Sequence, residues 1–513
     1  MADIPLSIDS TGLRSSAESA RGVREWLPLL VFGFYALAVL LIGSTHEAWF
    51  DEAQAWLIAR DASAWEIVSR YARYEGTPPL WHLVLWLPAH LGYPYRYLWL
   101  ISSAFGLVGA GMVLFRSPFP LLVRCGLVFG YFFAFQYPIV ARSYALDLAL
   151  FPILAALFER RLERPFAYCA ALALLANANT HSFLISGIIA LEFGAATLRS
   201  NRWREPKLVV AMTFYGVFAC GAVACAWPPK DISFHAYKLG AITATRAILL
   251  MAEPFIERVD VWGNAGPEVG ARAAGAVATL FLLIPSLVLF ARARIVSLFL
   301  AALGIFFIFT AAKYGQGWHT GILFMVWMFA LWISWPKLKL LSRREHALLF
   351  VSLAIVLGVQ DWYSVAAWKR EVLQTYSPAK DLAKALIHYR QTHPGTTVAA
   401  FGIKTFAAQP WAKVNLFDNF DGGPSKPAFY DWRASQPFKR FATLTNWAHA
   451  VQWEHHGVLL LSDFEAIDQD EAAQYFAIAA KAGFCAHSFD GEMIWKTYDR
   501  ESEKIVMFTH CAA

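Results

Sequence analysis

Asp51 and Glu52 stand side by side in the run Trp49-Phe50-Asp51-Glu52-Ala53-Gln54-Ala55-Trp56. Neighbouring carboxylates can take a proton from a hydroxyl, orient the group that does so, or hold a divalent cation. An apolar run over 26–44 ends just before them, and aromatic side chains surround them. A carboxylate at the mouth of a bilayer is costly to keep, which favours a functional reading over a solvated pair at a helix end. Farther along, Arg142-Ser-Tyr-Ala-Leu-Asp147 places a second acid beside a second apolar run. Five residues on a helix turn through about 140°, so Arg142 can meet Asp147 only from the preceding loop, which Pro138 makes available.

Cations accompany these acids. Arg96 opens the apolar run 95–115, a place where snorkelling arginines are common. Lys313, Tyr314, Trp318 and His319 form a short link between two apolar runs; beside acidic loops, Lys313 and His319 would supply the positive field that a departing phosphate needs. His82, His181 and His235 are isolated histidines, for which a structural role is the ordinary reading.

These groups need a scaffold, and the composition says which. Hydrophobic residues make up 58% of the chain and charged ones 16%, with a mean hydropathy of +0.42, so most of it belongs in lipid. Apolar runs recur at 26–44, 95–115, 119–137, 144–158, 166–180, 182–198, 208–227, 273–291, 295–312, 322–335 and 347–363. Basic connectors follow every second run, which gives about 11 transmembrane helices, a cytoplasmic N-terminal tail over 1–25 and an uncleaved signal anchor. The membrane domain is expected over 26–363, its first outer loop over 45–94, and an extracytoplasmic α/β domain over 364–513. The segment 78–92 is short and proline-flanked; counting it as a span would invert every later loop, so it reads as re-entrant or interfacial. The net charge of +6 does not point to nucleic acid, because the chain from Ser364 onward holds 15 Lys/Arg against 16 Asp/Glu.

Within the first outer loop, Trp49, Phe50, Ala53, Trp56 and Leu57 recur at helical spacing, which predicts a helix with one face on lipid. Ser63-Ala-Trp-Glu66 is a capping box and predicts a second short helix, broken at Gly76-Thr-Pro-Pro79. In the tail, helices are expected at 377–391 and 470–482, with strands at 396–401, 456–461 and between 484 and 508. Cys485 and Cys511 could pair or remain thiols, and no Cys/His spacing suggests zinc.

The residues resemble the GT-C superfamily, polytopic glycosyltransferases that use a polyprenyl-phosphate-linked sugar. Asp51-Glu52 after the first span is similar to the acidic motif of protein O-mannosyltransferases and lipid A aminoarabinose transferases. Pro78-Pro79-Leu80 followed by Arg96, and Arg142 with Asp147, resemble further patterns of those families; the rhizobial galacturonosyltransferase-like subgroup is the nearest in kind. The resemblance implies a GT-C-like fold in the bacterial inner membrane and transfer, with inversion, to a hydroxyl of a cell-envelope glycan, lipid or protein. Asp51 would be the base and Glu52 and Asp147 would orient it. Arg96, Arg142, Lys313, His319 and His82 would bind the donor phosphate, and Asp51 with Asp147 would hold any Mg or Mn ion. The late loop departs from the families' arginine-tyrosine or arginine-histidine pair, with Trp318-His319 in its place. A transporter or flippase of lipid-linked sugars is the rival reading, and a non-catalytic envelope assembly protein a third. No inverted repeat supports the transporter.

Overall fold

A computed structural model describes residues 10–232, 240–259, 268–420, 428–433, 442–452, 456–464 and 469–511. His235 lies outside them.

Nineteen α-helices lie among the described residues, most of them apolar. α1 (Ser10–Gly43) leads through a short link to α2 (Phe50–Asp61), α3 (Ala64–Glu66), α4 (Ala72–Glu75) and α5 (Leu80–His90). Then come α6 (Leu98–Arg116), α7 (Leu121–Phe129), α8 (Ala145–Leu157), α9 (Pro165–Ala178), α10 (Thr180–Arg199) and α11 (Pro206–Ala226). The membrane half ends with α12 (Ala241–Ala252), α13 (Glu268–Arg292), α14 (Val296–Ala312), α15 (Gly321–Ser334) and α16 (Arg343–Leu373). α17 (Ala379–Thr392), α18 (Leu444–Gln452) and α19 (Gln469–Lys481) belong to the tail.

The molecule is polytopic, and its expected apolar runs differ in length. Seven helical stretches among the described residues are long and apolar enough to cross a membrane: Trp26–Gly43, Tyr95–Arg116, Thr180–Arg199, Pro206–Ala226, Glu268–Arg292, Gly317–Leu340 and Arg343–Leu373. The other four runs form α7, α8, α9 and α14, all shorter. At 1.5 Å per residue α8 extends only about 20 Å, against about 30 Å of hydrocarbon. The physical reason is a break. α7 stops at Gly130, a π-turn covers Phe132–Gln136, and the chain bends through Pro138 to Tyr144 before α8 begins. That bend carries Arg142. Gly109 lets α6 and α8 close on one another, since a Cβ there would overlap the Leu148 carbonyl.

The first loop folds largely as its sequence suggests. Ser63 Oγ accepts the Glu66 N–H at 3.2 Å and Glu66 accepts the Ser63 N–H at 2.9 Å, and Gly76 (φ 63°) ends α4. α5 has 11 residues and is too short to span. α2 does not lie on lipid with one face, however. Glu52 and Gln54 are as buried as Phe50 and Trp56, because α5 and the tail's 3-10 helix Ile403–Trp411 pack against it.

The tail sheet has the order β1-β2-β6-β3 (Thr397–Phe401, His456–Leu461, Ile505–His510, Phe484–Phe489). β1 runs parallel to β2, and β6 is antiparallel to both neighbours. Cys485 and Cys511 are joined as a disulfide across β3 and the end of β6. Ser364, the expected start of the tail, sits inside α16, which continues unbroken to Leu373. A hairpin of β4 (Glu492–Trp495) and β5 (Tyr498–Ser502) enters the membrane half. There the Trp495 Nε1–H donates to Glu257 at 2.9 Å, and Lys496, fully buried, pairs with the same carboxylate at 3.1 Å. A buried charge needs such a partner to be tolerated.

Candidate active site

Three bends meet beneath the tail: the start of α2, the link Tyr137–Tyr144, and the turn Gly317–Thr320 before α15. Asp51 Oδ2 receives Arg142 Nη2 at 2.7 Å, and the two side chains keep 28% and 18% of their exposure. The Arg142 guanidinium lies over the rings of Trp49, Tyr144 and Trp318 at 5.6, 5.4 and 5.2 Å. Flat aromatic faces attract a cation and hold it without competing for its hydrogens. Arg142 Nη1 and Trp49 Nε1 are buried donors with no acceptor. Burial works against the Arg142 charge, but Asp51, with Tyr144, Tyr314 and Glu52, outweighs it and raises the pKa above the ordinary arginine value.

Arg142 does sit in the loop before α8, but it pairs with Asp51 and not with Asp147. Asp147 is sealed in α8, where Asn179 Nδ2 and Ser182 Oγ donate to it at 2.9 and 2.8 Å. Asn179 and Ser182 bracket His181 at the start of α10, and Asn179 also caps that helix. His181 stacks on His319 at 4.3 Å, and His319 faces the Tyr144 ring at 5.7 Å. His181 Nε2 has no partner. His319 Nδ1 accepts the Gln316 N–H at 2.9 Å, which fixes the ring with Nε2 as the donor in its neutral form. One aromatic and imidazole wall thus runs from Asp51 to the neighbourhood of Asp147.

Glu52 is turned away from this wall. It is completely buried, accepting from the backbone N–H groups of Trp49 (3.2 Å) and Ala141 (2.5 Å) and lying 3.0 Å from His46 Nε2. It therefore braces the two loops that carry Asp51 and Arg142 instead of reaching a reacting group itself. Arg96 has other surroundings. It is exposed, rests on the Tyr97 ring at 4.7 Å, and lines a 360 Å³ cavity with Lys380 and Lys384 of α17. Lys313 at the end of α14 is half-buried, and His82 is buried in α5. Among the described residues no hydrogen bond or ion pair joins either to Asp51, Arg142 or Asp147.

Two carboxylates gain roles that sequence spacing had not suggested. Glu75, at the end of α4, accepts from Gln54 Nε2 (2.9 Å) and Trp432 Nε1 (3.1 Å). Withdrawal from water pushes its pKa up to about 7, with Asp51 adding to the rise and the two N–H donors opposing it. Glu503, from the tail, accepts the Phe50 N–H at 2.9 Å and so meets the first turn of α2. The only sequence signal for Glu75 was an acid directly before the helix-breaking Gly76; for Glu503 there was none.

A divalent ion held by Asp51 and Asp147 does not fit these surroundings. Asp51 faces a guanidinium, both oxygens of Asp147 are already hydrogen-bonded, and among the described residues no group of three His, Cys, Asp or Glu side chains is arranged to hold a metal ion.

No family model matches the chain, and no curated protein matches it in sequence. Among solved structures, it is similar to the crystal structure of ArnT from Cupriavidus metallidurans bound to undecaprenyl phosphate. The identity is 11%, with 95% of this chain and 98% of that chain covered at a TM-score of 0.49. Residue roles therefore rest on this chain's own geometry.

Proposed function

We propose that this protein is a membrane glycosyltransferase that moves a sugar from a polyprenyl-phosphate carrier to a hydroxyl of a cell-envelope glycan, lipid or protein. The carrying observation is the Asp51–Arg142 pair: a reachable carboxylate against a caged guanidinium whose Nη1 has no acceptor. Chemistry of this kind needs one base and one anion-binding cation. Arg142 engages Oδ2, leaving Asp51 Oδ1 to accept the proton of the incoming hydroxyl. The hydroxyl oxygen then bonds to the anomeric carbon from the face opposite the phosphate, the carbon–phosphate-oxygen bond breaks, and the configuration inverts. The phosphate leaves as a stable anion without needing a general acid. Arg142 and the imidazole of His319 stabilise its charge.

In this reading Asp147 works through Asn179 and Ser182, which hold the turn bearing His181 against His319. The membrane half seats the isoprenoid, and the tail and its hairpin roof the site from the extracytoplasmic side of the inner membrane. The Cys485–Cys511 disulfide suits that oxidising side.

The test is transfer from a panel of radiolabelled undecaprenyl-phosphate sugars in membranes containing the full chain. Wild type should consume at least one donor, and Asp51→Asn and Arg142→Ala should not. Equal consumption by wild type and Asp51→Asn removes Asp51 as base; no consumption of any donor by wild type removes the transferase reading.

A further inference from the structure

His46, in the link between α1 and α2, lies between two carboxylates. Its Nε2 is 3.0 Å from Glu52 Oε2 and its Nδ1 is 3.0 Å from Glu371 Oε1. All three side chains are at most 1% exposed. A neutral imidazole has one N–H and would turn a lone pair toward one of the carboxylates, so with both carboxylates ionised both ring nitrogens carry hydrogen. Burial alone would lower the His46 pKa, but charge and hydrogen bonding from Glu52 and Glu371 raise it to about 10.

The connections made by Glu52 give this charge a purpose. Its Oε1 accepts the Ala141 N–H and its Oε2 the Trp49 N–H. Ala141 immediately precedes Arg142, and Asp51 immediately precedes Glu52. Glu371, near the end of α16, anchors His46 from the opposite side, and the Tyr376 ring closes edge-on at 4.7 Å. Arg96, Lys380 and Lys384 line the cavity that His46 borders, and Lys380 pairs with Glu47 at 2.7 Å.

We propose that His46 is a positioning residue, an imidazolium that binds Glu52 to Glu371 and thereby sets Asp51 against Arg142. Without its charge, two carboxylates face one buried space and Glu52 loses a partner that holds the two loops in register. The clamp itself does not depend on the transferase reading; only its effect on carrier binding does.

The experiment compares wild type, His46→Gln, Glu371→Gln and the double variant His46→Gln/Glu371→Gln as full-length protein in detergent. Thermal unfolding is followed against pH, and undecaprenyl phosphate binding by native mass spectrometry. His46→Gln should lower the Tm and weaken binding about tenfold, while the double variant should recover most of both, because it no longer confronts two carboxylates. The sign of the pH effect follows from the raised folded pKa. Stabilisation by the imidazolium is complete below pH 6.5 and is lost as pH rises through about 10. The double variant should lack that loss. A double variant no better than His46→Gln, or a His46→Gln protein with wild-type melting and binding, overturns the proposal. If the melting cycle behaves as expected while wild type binds no undecaprenyl phosphate, the clamp stands and the transferase reading falls.

Discussion

Asp51 and Glu52 are consecutive carboxylates in the first turn of one helix, yet they inhabit different worlds. Asp51 looks into an aromatic enclosure and remains 28% exposed, within reach of an incoming molecule. Glu52, about 100° further around the helix, is sealed among His46, Ala141 and Trp49. A group that exchanges protons with a substrate must be reachable, whereas a group that holds loops together gains strength by exclusion from water. The same side-chain chemistry therefore serves reaction at one position and architecture at the next.

Substitution should separate the two regions. The largest effect belongs to the open side: Asp51→Asn should lower transfer by about 10²–10⁴-fold while leaving the Tm near wild type, as measured by labelled-donor consumption and thermal unfolding. On the sealed side the order reverses. Glu52→Gln should cost about 3–5 kcal/mol of stability by breaking a buried charge pair, and a normal melting curve for it would mean that the two carboxylates do not differ in role. The tail supplies a control outside both regions. Replacing Cys485 with Ser opens a bridge that spans 26 positions and should cost about 3.5 kcal/mol in the tail's own unfolding, read by hydrogen exchange in the sheet.

The smallest effect is expected at Glu75. Its folded pKa of about 7 lies above the ordinary 4.5, so the folded state binds more protons in between, and stability contributed by the protonated group falls as pH rises from 4.5 through 7. Glu75→Gln should flatten that part of the melting profile. An unchanged slope would place the titration elsewhere.

Legibility differed between regions for identifiable reasons. Apolar runs revealed that the chain is a membrane protein, because each long helix must hide its own backbone from lipid and so announces itself locally. The capping box at Ser63 and Glu66 was equally local. The loop at Pro138 between runs 119–137 and 144–158 was legible, but the end of α7 at Gly130 was not, because hydropathy does not register a bend whose backbone groups find partners within the protein. The lipid face expected for α2 failed for a similar reason: its cover comes from residues 403–411, some 350 positions away.

Asp51 and Arg142 were both identified from their types and settings, but their partnership was not. Asp147, five positions from Arg142, was the partner the sequence brought into view, because near neighbours are visible in it and those brought together by packing are not. Glu371 was invisible as a site residue for the same cause; it lies beyond the apolar run, on the extension of α16 that carries it to His46.

By itself the sequence determined the membrane environment, the helical class, the α/β tail and the presence of costly charges beside apolar runs, since each follows from local composition and periodicity. Tertiary structure alone decided which of those charges meet. It paired Asp51 with Arg142, enclosed Glu52 with His46 and set Arg96 on a cavity with Lys380 and Lys384, because the energy of a charge depends on the distance to its partner and on the medium around it, which packing decides.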